Sequence, residues 1–127
     1  MKYLLDTHTL IWFIEGDGKL HQNLKSAIEN PENQIFVSIV TFWEIAIKQS
    51  LNKLELNNSI EDYINKVTEN NIAIVSVSFE HILKLTTLPF YHRDPFDRML
   101  IVQAIIENMV VISKDTHFAD YEVTILW

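Results

Sequence analysis

Two kinds of hydrophobic pattern alternate along this chain. Short apolar runs closed by polar turns predict buried parallel strands, and longer stretches with apolar residues three and four apart predict helices. Residues 2–6 read as a strand in which Tyr3-Leu4-Leu5 runs into Asp6. Thr7 to Ile14 reads as a helix, capped by Asp6 or Thr7 and broken at Gly16-Asp17-Gly18. Leu20 to Asn30 is a second helix, with Leu20, Leu24, Ala27 and Ile28 at helical spacing. A turn at Asn30-Pro31-Glu32-Asn33 leads to a strand from Gln34 to Ser38, and then to a helix from Val40 to Asn52. Ser59 opens the next helix, Ile60 to Asn70, in a capping-box-like pair with Asp62. Ile72 to Val77 reads as a strand, Phe79 to Thr86 as a short helix and Leu88 to Arg93 as a loop. Asp94 to Asn108 is a helix, Val110 to Ser113 a strand and Val123 to Trp127 the last strand.

Strands separated by helices imply a mostly parallel sheet with right-handed crossovers, here a five-stranded three-layer α/β/α fold. The 127 residues, 1–127, amount to one domain, and the helical hairpin over 40–70 could serve as an arm. A hydrophobic share of 48%, with only two glycines and three prolines, favours a packed core over disorder. The chain has no cysteine, which excludes disulfides and thiolate metal sites and suits a cytoplasmic protein. No apolar stretch approaches the roughly 20 residues of a membrane span. Asp6 and His8 interrupt the opening run too early for a signal peptide. Ten Lys and Arg against seventeen Asp and Glu leave a net charge of −7. That sign excludes simple electrostatic attachment to nucleic acid, so a nucleic-acid enzyme would need a cation or local basic groups.

The acids themselves suggest where such a cation would sit. Ligands of open α/β sheets bind outside the carboxyl ends of the strands. Asp6 and Asp115 follow strands and should meet on that rim, with Glu44 and Asp97 leaning over it from helices. Four carboxylates without matching bases repel one another unless a divalent cation fills the cluster. Each acid also has a plain structural reading. Asp6 can cap a helix, Asp115 can cap the turn Asp115-Thr116-His117-Phe118, and Glu44 can pair with Lys48 four residues on. Asp94 fits an N-cap with Pro95 at the first helical position. Asp97 would then have no capping left to do. His92, Arg93 and Arg98 flank it and suggest an edge that contacts substrate phosphate. His8, His21, His81 and His117 are singletons without metal-ligand spacing, read as solvated or satisfied histidines. Trp12, Phe13, Phe36, Phe42 and Trp43 read as core or as a dimer surface rather than as base-stacking platforms.

The chain resembles the PIN-domain ribonucleases, and among them the VapC-type toxin of a VapBC toxin–antitoxin pair. The resemblance covers nearly the full length. It rests on Leu4-Leu5-Asp6-Thr7-His8, on Ser38 to Glu44, on His92-Arg93-Asp94-Pro95-Phe96-Asp97-Arg98 through Gln103-Ala104, and on Ser113-Lys114-Asp115-Thr116-His117-Phe118. It implies that Asp6, Glu44, Asp97 and Asp115 are the family's acidic quartet, catalytic and metal-binding, with Thr7 and Ser113 supporting them. It further implies a sheet ordered 3-2-1-4-5, Mg²⁺ or Mn²⁺ as cofactor, a homodimer and a small cognate antitoxin that blocks the site. Lys114 stands where arginine is frequent in the family, and Asp120 is an extra acid near the quartet.

The reaction so implied is metal-dependent endonucleolytic hydrolysis of RNA, leaving 5′-phosphate and 3′-hydroxyl ends. One rival is a haloacid-dehalogenase-like phosphatase, which wants Asp-x-Asp where this chain has Asp6-Thr7-His8. A second is a catalytically silent PIN-like binding module, whose acids would act only as caps. A receiver-like phosphoacceptor domain would need an acceptor Asp after a central strand, and Ser78-Phe79-Glu80 after Val77 supplies none.

Overall fold

A computed structural model describes all residues from Met1 to Trp127. Five strands carry the architecture: β1 (Lys2–Leu5), β2 (Gln34–Ser38), β3 (Ala73–Val75), β4 (Val110–Ile112) and β5 (Ile125–Leu126). They form one sheet in the order β3-β2-β1-β4-β5, every pair parallel. Six α-helices connect them: α1 (Thr7–Glu15), α2 (Gln22–Glu29), α3 (Ile39–Ser50), α4 (Ile60–Glu69), α5 (Phe79–Leu85) and α6 (Pro95–Ile106). A 3-10 turn over Thr116–Asp120 precedes β5.

Successive strand residues face opposite sides, and each side has its own core. Leu5, Ile35, Val37 and Ile112 pack with Leu10, Leu24, Ile45, Tyr63 and Val67 from α1 to α4. Leu4 and Val111 pack the other way, against Leu100, Ile101 and Ala104 of α6 and against Phe118. The continuous apolar runs of β1 and β4 therefore follow from burial on both faces. Tyr63 and Val67 are fully buried, so the hairpin over 40–70 is not a free arm but part of one layer.

The edge strands are shorter than the apolar runs that predict them. β3 stops at Val75 because its partner residue, Ser38, is the end of β2 and already turns to cap α3. β5 is confined to the two residues that pair with Val111 and Ile112. Helix ends are also displaced. Asn52, Asn71 and Asn108 adopt φ of 55–57°, the left-handed geometry that stops a helix just past its last turn. The asparagines that close the polar pattern are thus terminators, lying outside the helices.

Candidate active site

Asp6, at the end of β1, is 7% exposed. Its Oδ1 accepts from the Thr9 amide at 2.9 Å, which makes it the N-cap of α1, and its Oδ2 accepts from the Ser113 hydroxyl at 2.5 Å. Burial raises its pKa, and those hydrogen bonds oppose the rise. Ser113 Oγ in turn accepts from the Asp115 amide at 3.0 Å, so one hydroxyl ties the two strand-end acids together. Asp115 caps the 3-10 turn through the His117 amide at 2.9 Å. Glu44 reaches the same rim from α3, whose start is set by Ser38 as N-cap. Its Oε1 accepts from Thr7 Oγ1 at 2.6 Å and its Oε2 pairs with Lys48 Nζ at 2.5 Å.

Asp97 differs from the other three. Asp94 already caps α6, accepting from the Phe96 and Asp97 amides at 2.9 and 3.0 Å. The Asp97 carboxyl is left over, and its pKa is pushed up to about 8. Burial is the main cause, followed by the negative charges of Asp94, Glu44, Asp6 and Asp115. Residues from four separate stretches of chain therefore share one electrostatic neighbourhood. Both readings of these acids hold together: Asp6 and Asp115 do cap, and they also face Asp97.

His92 joins the cluster. Its Nε2 lies 3.1 Å from Asp97 Oδ2 and 3.5 Å from Asp115 Oδ2, yet it is buried without an aligned hydrogen bond. Nδ1 accepts from the Asp94 amide at 3.1 Å, which places the proton of a neutral ring on Nε2. His92, Asp97 and Asp115 offer atoms within 4.8 Å of one another, a spacing that suits a metal ion. The tautomer makes the imidazole a donor rather than a ligand, so the direct ligands would be carboxylate oxygens. An all-oxygen set suits a hard divalent cation such as Mg²⁺ or Mn²⁺. The mutually repelling acids fit such an ion, with the His92 Nε2–H beside them as a donor to their carboxylate oxygens.

Arg98 does not take the place the sequence suggests. Arg98 is 5% exposed and turned away from the acids. Its guanidinium donates to the backbone oxygens of Pro89 and Leu88 at 2.8 and 3.2 Å and lies 3.8 Å from the Phe90 ring centroid. The side chain is used up in pinning the loop that carries His92, so the phosphate contact expected of Arg98 is corrected to a structural role. Arg98→Lys should lower stability by about 1–3 kcal/mol in urea unfolding, because one ammonium cannot serve both carbonyls. A phosphate-holding arginine would instead leave stability unchanged. Arg93 is exposed. Asp120 lines a different pocket, of about 300 Å³, with Lys84, Tyr91 and Tyr121. The cation that does stand among the acids is Lys48. Burial works against its charge, but Glu44, Asp94 and Asp97 hold the ammonium above its usual range. In the sequence it signals only as the i+4 partner of Glu44.

A three-layer parallel α/β domain with acids gathered on its carboxyl rim defines a class of fold and site. The sequence profile described as the PIN domain matches residues 3–123, and the chain belongs to that family. No curated protein matches the chain. Among solved structures it is similar to VapBC2 from Rickettsia felis bound to a DNA fragment from their promoter, with a TM-score of 0.73 and 16% identity, covering 99% of this chain and 98% of that one. It is similar to DNA-bound VapBC from Salmonella typhimurium, with a TM-score of 0.66 and 16% identity over 99% and 97% of the two chains. VapBC-1 from nontypeable Haemophilus influenzae aligns with a TM-score of 0.63 and 18% identity over 99% and 97%. At such identities the likeness is one of fold. No helix is long and apolar enough to cross a membrane.

Proposed function

We propose that this protein is a metal-dependent endoribonuclease that acts as the toxin of a toxin–antitoxin pair. The observation that carries the reading is the convergence of Asp6, Glu44, Asp97 and Asp115 on one rim, where burial and the neighbouring acids push the Asp97 pKa up to about 8. Asp97, Asp6 and Asp115 would hold the cation, with Glu44 completing the shell directly or through water. A bound divalent ion supplies Lewis-acid stabilisation of the charge that develops on a phosphodiester during in-line displacement. The chain's own residues set the stage for it. Ser113 fixes the spacing of Asp6 and Asp115, and Thr7 and Lys48 orient Glu44. His92 Nε2, 3.1 Å from Asp97 Oδ2 and 3.5 Å from Asp115 Oδ2, would orient these carboxylates, and Lys48 offers the nearby positive charge for a phosphate. Asp97 must give up its proton when the cation arrives.

A silent binding module is the weaker reading, because Asp97 and Glu44 cap nothing and still converge on the rim. The phosphatase reading lacks its second acid, since exposed His8 occupies that position. The VapBC complexes with this fold support an antitoxin partner for this chain, and an acid cluster is a natural dock for an Arg or Lys from it. An uncharged groove of about 360 Å³, lined by Ile39, Trp43, Ile82 and Met99 among others, supports a homodimer. Acting on RNA beside a cognate antitoxin would place the protein in the cytoplasm.

Purified protein given end-labelled RNA with Mn²⁺ should produce fragments with 5′-phosphate and 3′-hydroxyl ends. Expressed alone it should arrest growth, and the small protein encoded beside it should co-purify with it and restore growth. Intact RNA under every divalent ion tested would sink the nuclease reading. Harmless expression and no bound neighbour would sink only the toxin reading.

A further inference from the structure

Aromatic rings form a row that starts at the acids. His8 and Trp12, four apart on α1, have ring centroids 5.8 Å apart. Trp12 and Trp127 are 5.8 Å apart, and Trp127 and His21 are 5.7 Å apart. Three elements of the fold contribute to this one row: α1, the residue after β5, and the residue before α2. Its inner end is an open cleft of about 340 Å³ lined by Asp6, His8, Trp12, Lys114 and Asp115. Trp12 also walls the next cleft, of about 130 Å³, whose lining includes Lys25. The Lys19 ammonium sits 5.9 Å from the Trp12 ring centroid. Lys19 and Lys114 are exposed, and Trp12 is half-buried. Lys19, Lys25 and Lys114 stand around this aromatic floor, Lys19 also paired with Asp17 at 4.0 Å.

We propose that this row is a nucleotide track: Trp12 stacks a base next to the scissile phosphate, His8 supports it, and Lys114 holds an adjoining phosphate. The proposal rests on the nuclease reading and names how that site takes its substrate. The rings are tilted by 38° to 59° and pack on one another, so bases lie along the row instead of slotting between rings. Stacking on an aromatic with a cation for the phosphate is how single strands are held without sequence reading. A duplex would keep its base faces hidden, so the occupant is single-stranded. A partner's helix is the poorer fit, since docking grooves for amphipathic helices are apolar throughout and Trp12 is the one hydrophobic residue lining the inner cleft.

The test uses a short single-stranded RNA whose cleaved bond has been mapped. Trp12→Ala should raise KM roughly ten-fold with kcat little changed, and Trp12→Phe should recover most of the loss. An abasic residue at one of the two nucleotides flanking the cleaved bond should reproduce the Trp12→Ala defect, and combining the two should add nothing further. Lys114→Gln should weaken binding and reduce the log–log salt slope by about 0.7. Lys114 is exposed, so this variant still decides the matter if Trp12→Ala does not fold. Phe79→Ala, at an exposed ring that lines neither cleft, should leave KM unchanged. Unchanged KM in both the Trp12 and Lys114 variants of an active protein overturns the track while leaving the nuclease reading intact. Unchanged KM together with lost co-purification of the small neighbouring protein overturns it in favour of a peptide cleft. A folded parent protein that cleaves no RNA overturns the nuclease reading, and the track with it.

Discussion

Stripped of divalent ions, the protein will lose stability as pH rises from about 5 to about 8. Asp97 has its folded-state pKa near 8 against an ordinary 3.8, so across that window the folded state keeps a proton that the unfolded chain has released. Stability falls with pH wherever the folded state binds more protons, and the loss is complete once pH passes the folded pKa. The raised pKa of Asp6 acts in the same direction. Asp97→Asn removes the larger part of this pH dependence and should make the profile shallower, with the metal-free variant more stable than the parent at pH 8. A divalent ion at ten times its dissociation constant should add about 1.4 kcal/mol, Mn²⁺ acting at lower concentration than Mg²⁺. Thermal melts across pH with chelator, Mg²⁺ or Mn²⁺ check this. A profile that is flat in the parent and indifferent to both ions would mean that the acids do not share a site.

Two aspartates three residues apart should give opposite kinetic results. Asp97→Asn keeps shape and loses charge, and it should lower kcat/KM for RNA about a thousand-fold or more, the scale of several kcal/mol of lost transition-state stabilisation. Asp94→Asn keeps the capping of α6, because asparagine caps as well as aspartate, and most activity should survive. Steady-state cleavage of one RNA by both variants, with melting curves alongside, separates site from cap. Equal losses in both activity and stability would mean that the motif is only a helix start.

Much of this was readable from residue order. Continuous apolar runs marked β1 and β4 because those strands are covered on both faces, β-forming residues marked β2, and Asp6 and Asp115 follow β1 and β4 onto one rim. Ser59 and Asp94 declared their caps through their positions before Asp62 and Pro95. The edge strands were overestimated, since Val77 and Val123 look β-forming but have no partner left to pair with. Arg98 was misread because its neighbours in sequence are acids and histidine, whereas its neighbours in space are the carbonyls of Leu88 and Pro89. His92 signalled only as a possible substrate contact. What fixes its proton is a backbone amide two residues on, and such a contact leaves no trace in composition. Lys48 was hidden behind an ordinary i, i+4 pair. The ring row was invisible for a different reason: Trp127 and Trp12 are brought together only when the last strand closes the sheet edge over α1.

The most direct test is RNA cleavage by the parent protein and by Asp97→Asn, run side by side in Mn²⁺ and in chelator. The parent should cut in Mn²⁺ and stop when the ion is removed, and the folded variant should be inactive in both. Cleavage that persists in chelator, or an Asp97→Asn protein that cuts at the parental rate, would contradict a catalytic cation held by these acids.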